Sequence, residues 1–276
     1  MFIFREWENF CKRLNEDGIN SVTASSVLEN RPDKSFLILK HDVETNLNRA
    51  LMFAKIENRY HHKGTYYIQG YLLHDEKNIS IMKEIKNLGH EVSYHHDVMD
   101  SNNGDMYKAK EEFEHYIRLF ENNGFTIKTV CQHGNPLVER NGYNSNRDFF
   151  RDLSIKTLFK DISEIMVNFR ENIKLNYIYI SDAGYGWKII NDPENNDIVD
   201  SSYKDISLKD LNEVAERIIN SNVILSVHPH RWNSNKIRAK MKKKFFDKIK
   251  SIAKLFYKVP VIKKIMHRFY FLSKKI

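Results

Sequence analysis

Gly89-His90-Glu91-Val92-Ser93-Tyr94-His95-His96-Asp97 is the stretch on which the fold turns. A glycine that can close a helix, a short β-favouring run and then two histidines and an aspartate read as a strand with a chemically loaded C-terminal end. Three other runs share the pattern. Phe36-Leu37-Ile38-Leu39 leads into His41-Asp42-Val43-Glu44, Ile127-Lys128-Thr129-Val130 into Gln132-His133-Gly134, and Val223-Ile224-Leu225-Ser226-Val227 into His228-Pro229-His230. Strand ends on one rim of a parallel sheet converge in space, so these runs predict a rim crowded with imidazoles and carboxylates. Those are the groups that a divalent metal and its acid and base helpers require.

Working outward from these runs, the sequence alternates β-like and helical patterns. Trp7, Phe10, Cys11 and Leu14 give a leading helix over 4–16. Strand 35–40 precedes helix 46–60, whose inner face is Leu47, Ala50, Leu51, Ala54 and Ile56; strand 65–69 precedes helix 76–88, ended by Gly89. Strand 91–95 precedes helix 105–123, ended by Gly124, and strand 127–131 opens a loop rich in Gly, Asn and Pro over 133–146. Residues 147–174 have no clear pattern; a strand at 176–181, a helix at 207–220 and a strand at 223–228 follow. Such alternation predicts an α/β fold on a parallel sheet, either a barrel or doubly wound. His61 and His62, at a helix end beside Lys63, read as surface residues.

At 276 residues the chain suits one α/β domain with an appendage. Its two cysteines, Cys11 and Cys131, imply neither a disulfide framework nor a Cys-based zinc site and favour a reducing cytoplasm. The opening Met1-Phe2-Ile3-Phe4-Arg5-Glu6 meets charge too early for a secretion signal, and no apolar stretch approaches the roughly 18 residues of a membrane span. Charge is segregated. From Lys236 onward there are 15 Lys or Arg against one acid, Asp247, so within a net charge of +8 the first 235 residues are net negative. The expected division is a barrel domain over 1–235 and a basic helical tail over 236–276. In the tail Phe245, Phe246, Ile249, Ile252, Ala253 and Phe256 recur at helical spacing among lysines, and Pro260 separates them from a second run over 261–272. This is the pattern of a helix lying on an anionic membrane surface, which would make the protein peripheral on the inner face. Packing against its own body is the competing reading; nucleic acid is disfavoured because no stacking platform accompanies the charge.

Within the motifs, strand alternation points Asp42 and Glu44 to one side, where one carboxylate can bind metal and the other take a proton from water. Alternatively, Glu44 simply faces the dipole of the following helix. His228 is delivered to the same rim by an apolar strand. His133 could instead be a loop histidine bonded to backbone, and His230 with Arg231 a solvated loop. The polar loop over 141–147, ending in Arg147, has the amides and hydroxyls that suit a sugar.

The run from Gly89 to His95 resembles the second motif of the metal-dependent polysaccharide deacetylases of carbohydrate esterase family 4, the chitooligosaccharide deacetylase homology domain. Asp42-Val43-Glu44 is similar to that family's first, two-acid motif, His228 to its late general acid, and Asp182 and Trp187 to its late Asp and Trp. The resemblance spans about residues 35 to 232. It implies a distorted (β/α) barrel and a hydrolase that removes an N-acetyl group from an amino sugar, glycan or lipid-linked sugar in envelope polysaccharide metabolism. It also implies Asp42 as base, His228 as acid, and Glu44 and His95 as ligands of a divalent ion; zinc is favoured, with iron, cobalt, nickel or manganese as alternatives. Asp42 binding metal itself is the shifted assignment. Two departures stand out. Met99 occupies the place of the family's second histidine, leaving His96, Asp97, Asp100 or His133 to complete the ligand set, and the third, arginine-bearing motif is replaced by Cys131-Gln132-His133-Gly134-Asn135-Pro136. Asp182, Trp187, Asn135 and Arg147 are the expected substrate contacts. A metal-free, glycan-binding or recruiting relative and a hydrolase of a non-sugar C–N bond are the alternative functions.

Overall fold

The order of elements follows the alternation. α1 (Phe4–Glu16) and α2 (Ala24–Glu29) precede β1 (Leu37–Val43), α3 (Leu47–Arg59), β2 (Gly64–Gln69), α4 (Glu76–Asn87) and β3 (Glu91–His96). Then come α5 (Val98–Ser101), α6 (Met106–Asn122), β4 (Thr129–Gln132), α7 (Asp148–Arg151), α8 (Leu153–Leu158), β5 (Ser163–Glu164), α9 (Phe169–Ile173) and β6 (Ile178–Ser181). β7 (Trp187–Ile189), β8 (Ile206–Leu208), α10 (Leu211–Ile218), β9 (Val223–Val227) and α11 (Lys236–Phe256) complete it. This computed structural model describes residues 1–32, 34–135, 138–198 and 204–256.

Local chemistry sets the boundaries. Asp75, Asp105 and Asp210 cap α4, α6 and α10 by accepting from backbone N–H groups of the first turn. Gly89 and Gly124, at φ +88° and +86°, take the left-handed conformation that ends α4 and α6.

The nine strands form one sheet in the order β5-β4-β3-β2-β1-β9-β6-β7-β8. From β5 to β6 every pairing is parallel; β7 and β8 extend it antiparallel. Among the described residues β5 and β8 do not pair, so the barrel-like wall is open at that seam. Period-two alternation assigns the two faces. Leu37, Leu39 and Val43, with Tyr66, Ile68, Tyr94, Leu225 and Val227, join the core under the helices, where Trp7, Phe53, Phe113 and Phe120 are fully buried. The other face carries Ile38, Tyr67, Cys131, Tyr179 and Ile224, closed over by α2 and α9 through Ala24, Val27, Phe169 and Ile173. Each large apolar side chain so buried contributes roughly 1.5–3 kcal/mol.

Several sequence expectations need correction. β1 runs to Val43 rather than stopping at 40 because Lys40 and Asp42 continue the ladder with β2. The patternless 147–174 holds α7, α8, β5 and α9, pieces too short to show a period. The helix expected from 207 begins at Leu211, its first residues being taken by β8. His62 is buried rather than at the surface: it accepts from the Ser21 N–H at 3.2 Å and donates to the Cys11 carbonyl at 2.9 Å, so its ring replaces backbone partners between α1 and α3. In the tail, α11 docks on the body through Ala239, Lys242 and Phe246, whose ring lies 4.9 Å from that of Tyr185. Its opposite side exposes Ile237, Met241 and Phe245. The second tail run and Pro260 lie outside the described residues, as do the side chains of Ile249, Ile252, Ala253 and Phe256.

Candidate metal centre

The C-terminal ends of β1, β3, β4 and β9 meet on one rim, as the parallel order requires. Glu44 follows β1, His95 lies near the end of β3 and His133 follows β4; each offers one ligand atom, and the three atoms lie within 4.8 Å of one another. All three residues are buried. His133 Nε2 stands 3.6 Å from Glu44 Oε1, and the rings of His95 and His133 meet edge to face at 5.3 Å. His95 Nδ1 donates to the Cys131 carbonyl at 3.0 Å, which fixes the tautomer and leaves Nε2 as an acceptor. Burial lowers the His95 pKa to about 3, so the ring is neutral and able to ligate. The loop bearing His133 is held from both sides: Asn146 Nδ2 donates to the His133 carbonyl at 2.8 Å and to Asp100, and His133 N–H donates to the His96 carbonyl at 2.7 Å.

A second set, Asp42, His95 and Cys131, also lies within ligand range. Its chemistry fits less well. Burial pushes the Cys131 thiol well above its ordinary value, away from the thiolate a metal prefers, and Asp42 already has a cation. Lys40 Nζ donates to both Asp42 carboxylate oxygens at 2.5 Å and to Ser226 Oγ at 3.3 Å, with Lys40 only 1% exposed. Burial alone would raise the Asp42 acid, but Lys40, with help from His95 and His228, holds it well below the usual carboxylate range. One carboxylate and two imidazoles are a ligand set of catalytic metal sites, so Glu44, His95 and His133 fit such an ion.

His228 stands across from Asp42, with Nε2 3.7 Å from Asp42 Oδ2. Its Nδ1 donates to Asp182 Oδ1 at 2.6 Å, and its backbone N–H donates to Asp182 Oδ2. Asp182 is fully buried and also accepts from Arg231 Nη1 at 2.8 Å and Trp232 Nε1 at 3.3 Å. Burial raises the Asp182 acid, and Arg231 and His228 more than offset this, leaving it at about 2. Asp182 is therefore an ionised orienter of His228 rather than a substrate contact.

Other expected site residues are placed elsewhere. His96 faces the opposite side of β3, as adjacent strand residues must, and its ring sits among Phe113, Phe149 and Phe150. Asp97 immediately precedes α5 and is outside both ligand sets; its charge adds to burial in raising the pKa of Tyr71, Tyr94 and Tyr116. Asp100 is taken by Arg140 through two 2.8 Å bonds. Trp187 is buried against Phe2 and Trp232 in the aromatic core, and Arg147 is buried in contacts with Asp197, Asn196 and the Pro193 carbonyl. Neither faces the rim. Asn135 remains on the rim loop, its carbonyl accepting from Arg140 at 2.8 Å. His41 and His90 are structural: His41 Nε2 is 2.7 Å from Glu57 Oε1 and stacks on Tyr66, while His90 accepts from Gly64 N–H and donates to the Ala54 carbonyl.

Lys40 was the principal omission. Its signal is a lysine two residues before Asp42 inside an apolar strand, which alternation puts on the same face. His230, expected in a solvated loop, has a buried Nδ1, and burial lowers its pKa to about 3.

No protein-family model matches the chain, and no curated protein is similar to it at a significant level. The class is thus defined by fold and site: an α/β protein with a buried carboxylate–imidazole group able to hold a metal ion. Among the described residues no helix is long and apolar enough to cross a membrane.

Proposed function

We propose that this chain is a metal-dependent hydrolase of the polysaccharide deacetylase type, cleaving the amide of an N-acylated, chiefly N-acetylated, amino sugar in a glycan or lipid-linked conjugate of the cell envelope. The observation that carries this reading is the joint presence, on one rim, of the Glu44–His95–His133 group, an ionised Asp42 and a His228 oriented by Asp182. The motif resemblance supplies the substrate class. Glu44, His95 and His133 would hold the ion, with zinc preferred and iron, cobalt, nickel or manganese as substitutes. When bound, such an ion polarises the substrate carbonyl and acidifies water.

The chain's own groups divide the proton work. Asp42, kept ionised by Lys40, accepts the proton of the water whose oxygen adds to the amide carbon. His228 Nε2 faces the same space and gives a proton to the departing nitrogen as the C–N bond breaks, yielding a carboxylic acid and a free amine. Asp182 holds the ring in the tautomer this requires and stabilises its charged form.

A cytoplasmic protein held on an anionic membrane surface through residues 236–276 is the setting we favour. The exposed Ile237, Met241 and Phe245, spaced four residues apart among exposed lysines, support it. The test of function is release of acetate and free amine from a panel of N-acetylated sugars, nucleotide sugars and glycans by metal-loaded protein. Turnover lost in Asp42→Asn and in His228→Ala is the expected result; no turnover on any amide by protein that holds metal would overturn the hydrolase reading.

A further inference from the structure

Two cationic side chains from separate elements meet on one backbone carbonyl at the edge of the candidate centre, and a third cation follows it in the chain. Arg49 Nη1, from the first turn of α3, and Lys242 Nζ, from α11, both donate to the carbonyl oxygen of His230, Lys242 at 2.9 Å. Arg231, the next residue, is held beside them by donating from Nη1 to the Asp182 carbonyl at 2.9 Å and to Asp182 Oδ1 at 2.8 Å. All three are half-buried. The ring of His230 meanwhile lies beside the proposed acid, its centroid 5.9 Å from that of His228.

Like charges brought together under partial burial repel, so a protein keeps such a group where something negative completes it. Asp182 cannot do so alone, because it already accepts from His228, Arg231 and Trp232. Burial, then Arg49 and Arg231, push Lys242 down to about 8. A single neutral carbonyl is a small acceptor for these groups: a guanidinium has five donors and an ammonium three, and among the described residues Arg49 and Lys242 each make one such bond. Several acceptor oxygens on one doubly charged centre would use them, as phosphate does.

We infer that Arg49, Arg231 and Lys242 form a subsite for the phosphate of a phosphorylated acylamino-sugar substrate, at the His230 carbonyl whose ring lies beside His228; this rests on the hydrolase reading of the rim. Because Lys242 belongs to α11, the basic helix completes the substrate site as well as carrying surface charge. A nucleotide sugar and a lipid-linked sugar phosphate share the recognised chemistry.

Binding of N-acetylglucosamine 1-phosphate and of unphosphorylated N-acetylglucosamine to the full-length, metal-loaded protein, measured by calorimetry, tests this. The phosphate ester should bind at least about tenfold more tightly, as charge-assisted hydrogen bonds allow. Arg49→Gln and Lys242→Gln should each erase the preference with unchanged metal content and unfolding temperature, and Lys242→Arg should retain it. His95→Ala, which damages the metal group, should also keep it. Equal binding of the two sugars, a preference surviving both glutamine variants, or its loss in His95→Ala would overturn the subsite. Phosphatidylglycerol vesicles form a further arm: if the glutamine variants weaken vesicle binding while the soluble ester does not bind, the cluster reads a lipid headgroup and the substrate subsite is refuted. A phosphate preference without amide hydrolysis would count against the hydrolase reading alone.

Discussion

Replacing Lys40 by methionine removes one charge from an ion pair with almost no access to water: Lys40 is 1% exposed and Asp42 6%, with Nζ 2.5 Å from both oxygens. Breaking such a pair on one side leaves an uncompensated buried carboxylate, at about 3–5 kcal/mol, a large part of the roughly 5–15 kcal/mol by which a domain is stable. The signs follow from the two shifts. Asp42 is depressed when folded, so its contribution is present above the unfolded value of about 3.9 and is lost as pH falls through the folded value. Lys40 is raised despite its burial, because Asp42 outweighs the desolvation; its contribution is complete below about 10.4 and is lost as pH rises through the folded value. The pair therefore acts in full across the neutral range. Without Lys40, burial raises the Asp42 acid, and the variant recovers part of its deficit on acidification from pH 7 toward pH 5 as Asp42 takes up a proton. Urea unfolding of wild type, Lys40→Met and the double variant Lys40→Met/Asp42→Asn across this range measures it, the double variant regaining most of the loss at pH 7. A Lys40→Met protein within about 1 kcal/mol of wild type at pH 7, with the same pH dependence, would refute the reasoning.

The Glu57 centre should behave as structure without chemistry: Glu57→Gln strands His41, Trp7 and Tyr66 and should lower stability by about 3 kcal/mol in urea titration while leaving metal content unchanged. Asp182→Asn should preserve metal and fold but lower kcat by about 10²-fold or more, because His228 loses the partner that fixes its tautomer; an unchanged kcat would remove His228 from proton transfer. Changing Ile237, Met241 and Phe245 together to serine should weaken sedimentation with anionic vesicles while leaving the unfolding temperature intact, since all three are exposed. Binding by the unaltered protein should also weaken with salt, as each participating lysine contributes about 1 kcal/mol.

What could be read from the sequence, and what could not, divides along the range of the interactions involved. Helices with a strong apolar stripe, such as α1, or a side-chain cap, such as α4 and α6, are visible within a residue or two because Trp7, Phe10 and Leu14, or Asp105 and Gly124, act locally. The rim was visible because parallel strands present their ends together. Strand alternation already contained the separation of His95 from His96; the resemblance to a two-histidine motif obscured it. Trp187 and Arg147 look like site residues in one dimension, and only packing shows that Phe2, Trp232 and Asp197 claim them. β5, β7 and β8, of two or three residues each, exist through tertiary pairing and leave no periodic trace. The meeting of Arg49 and Lys242 on the His230 carbonyl joins residues almost two hundred positions apart, and charge counting along the chain separates what the fold brings together.

The central claim is that Glu44, His95 and His133, and not their sequence neighbours, hold a metal ion. Its most direct test is the metal content per chain of purified protein by elemental analysis, for wild type and five variants. Wild type should carry about one divalent ion, Glu44→Gln, His95→Ala and His133→Ala should each bind at least about tenfold more weakly, and His96→Ala and Asp97→Asn should match wild type. Wild-type protein that binds no divalent ion, or one that keeps it in His133→Ala and loses it in His96→Ala, would contradict the account.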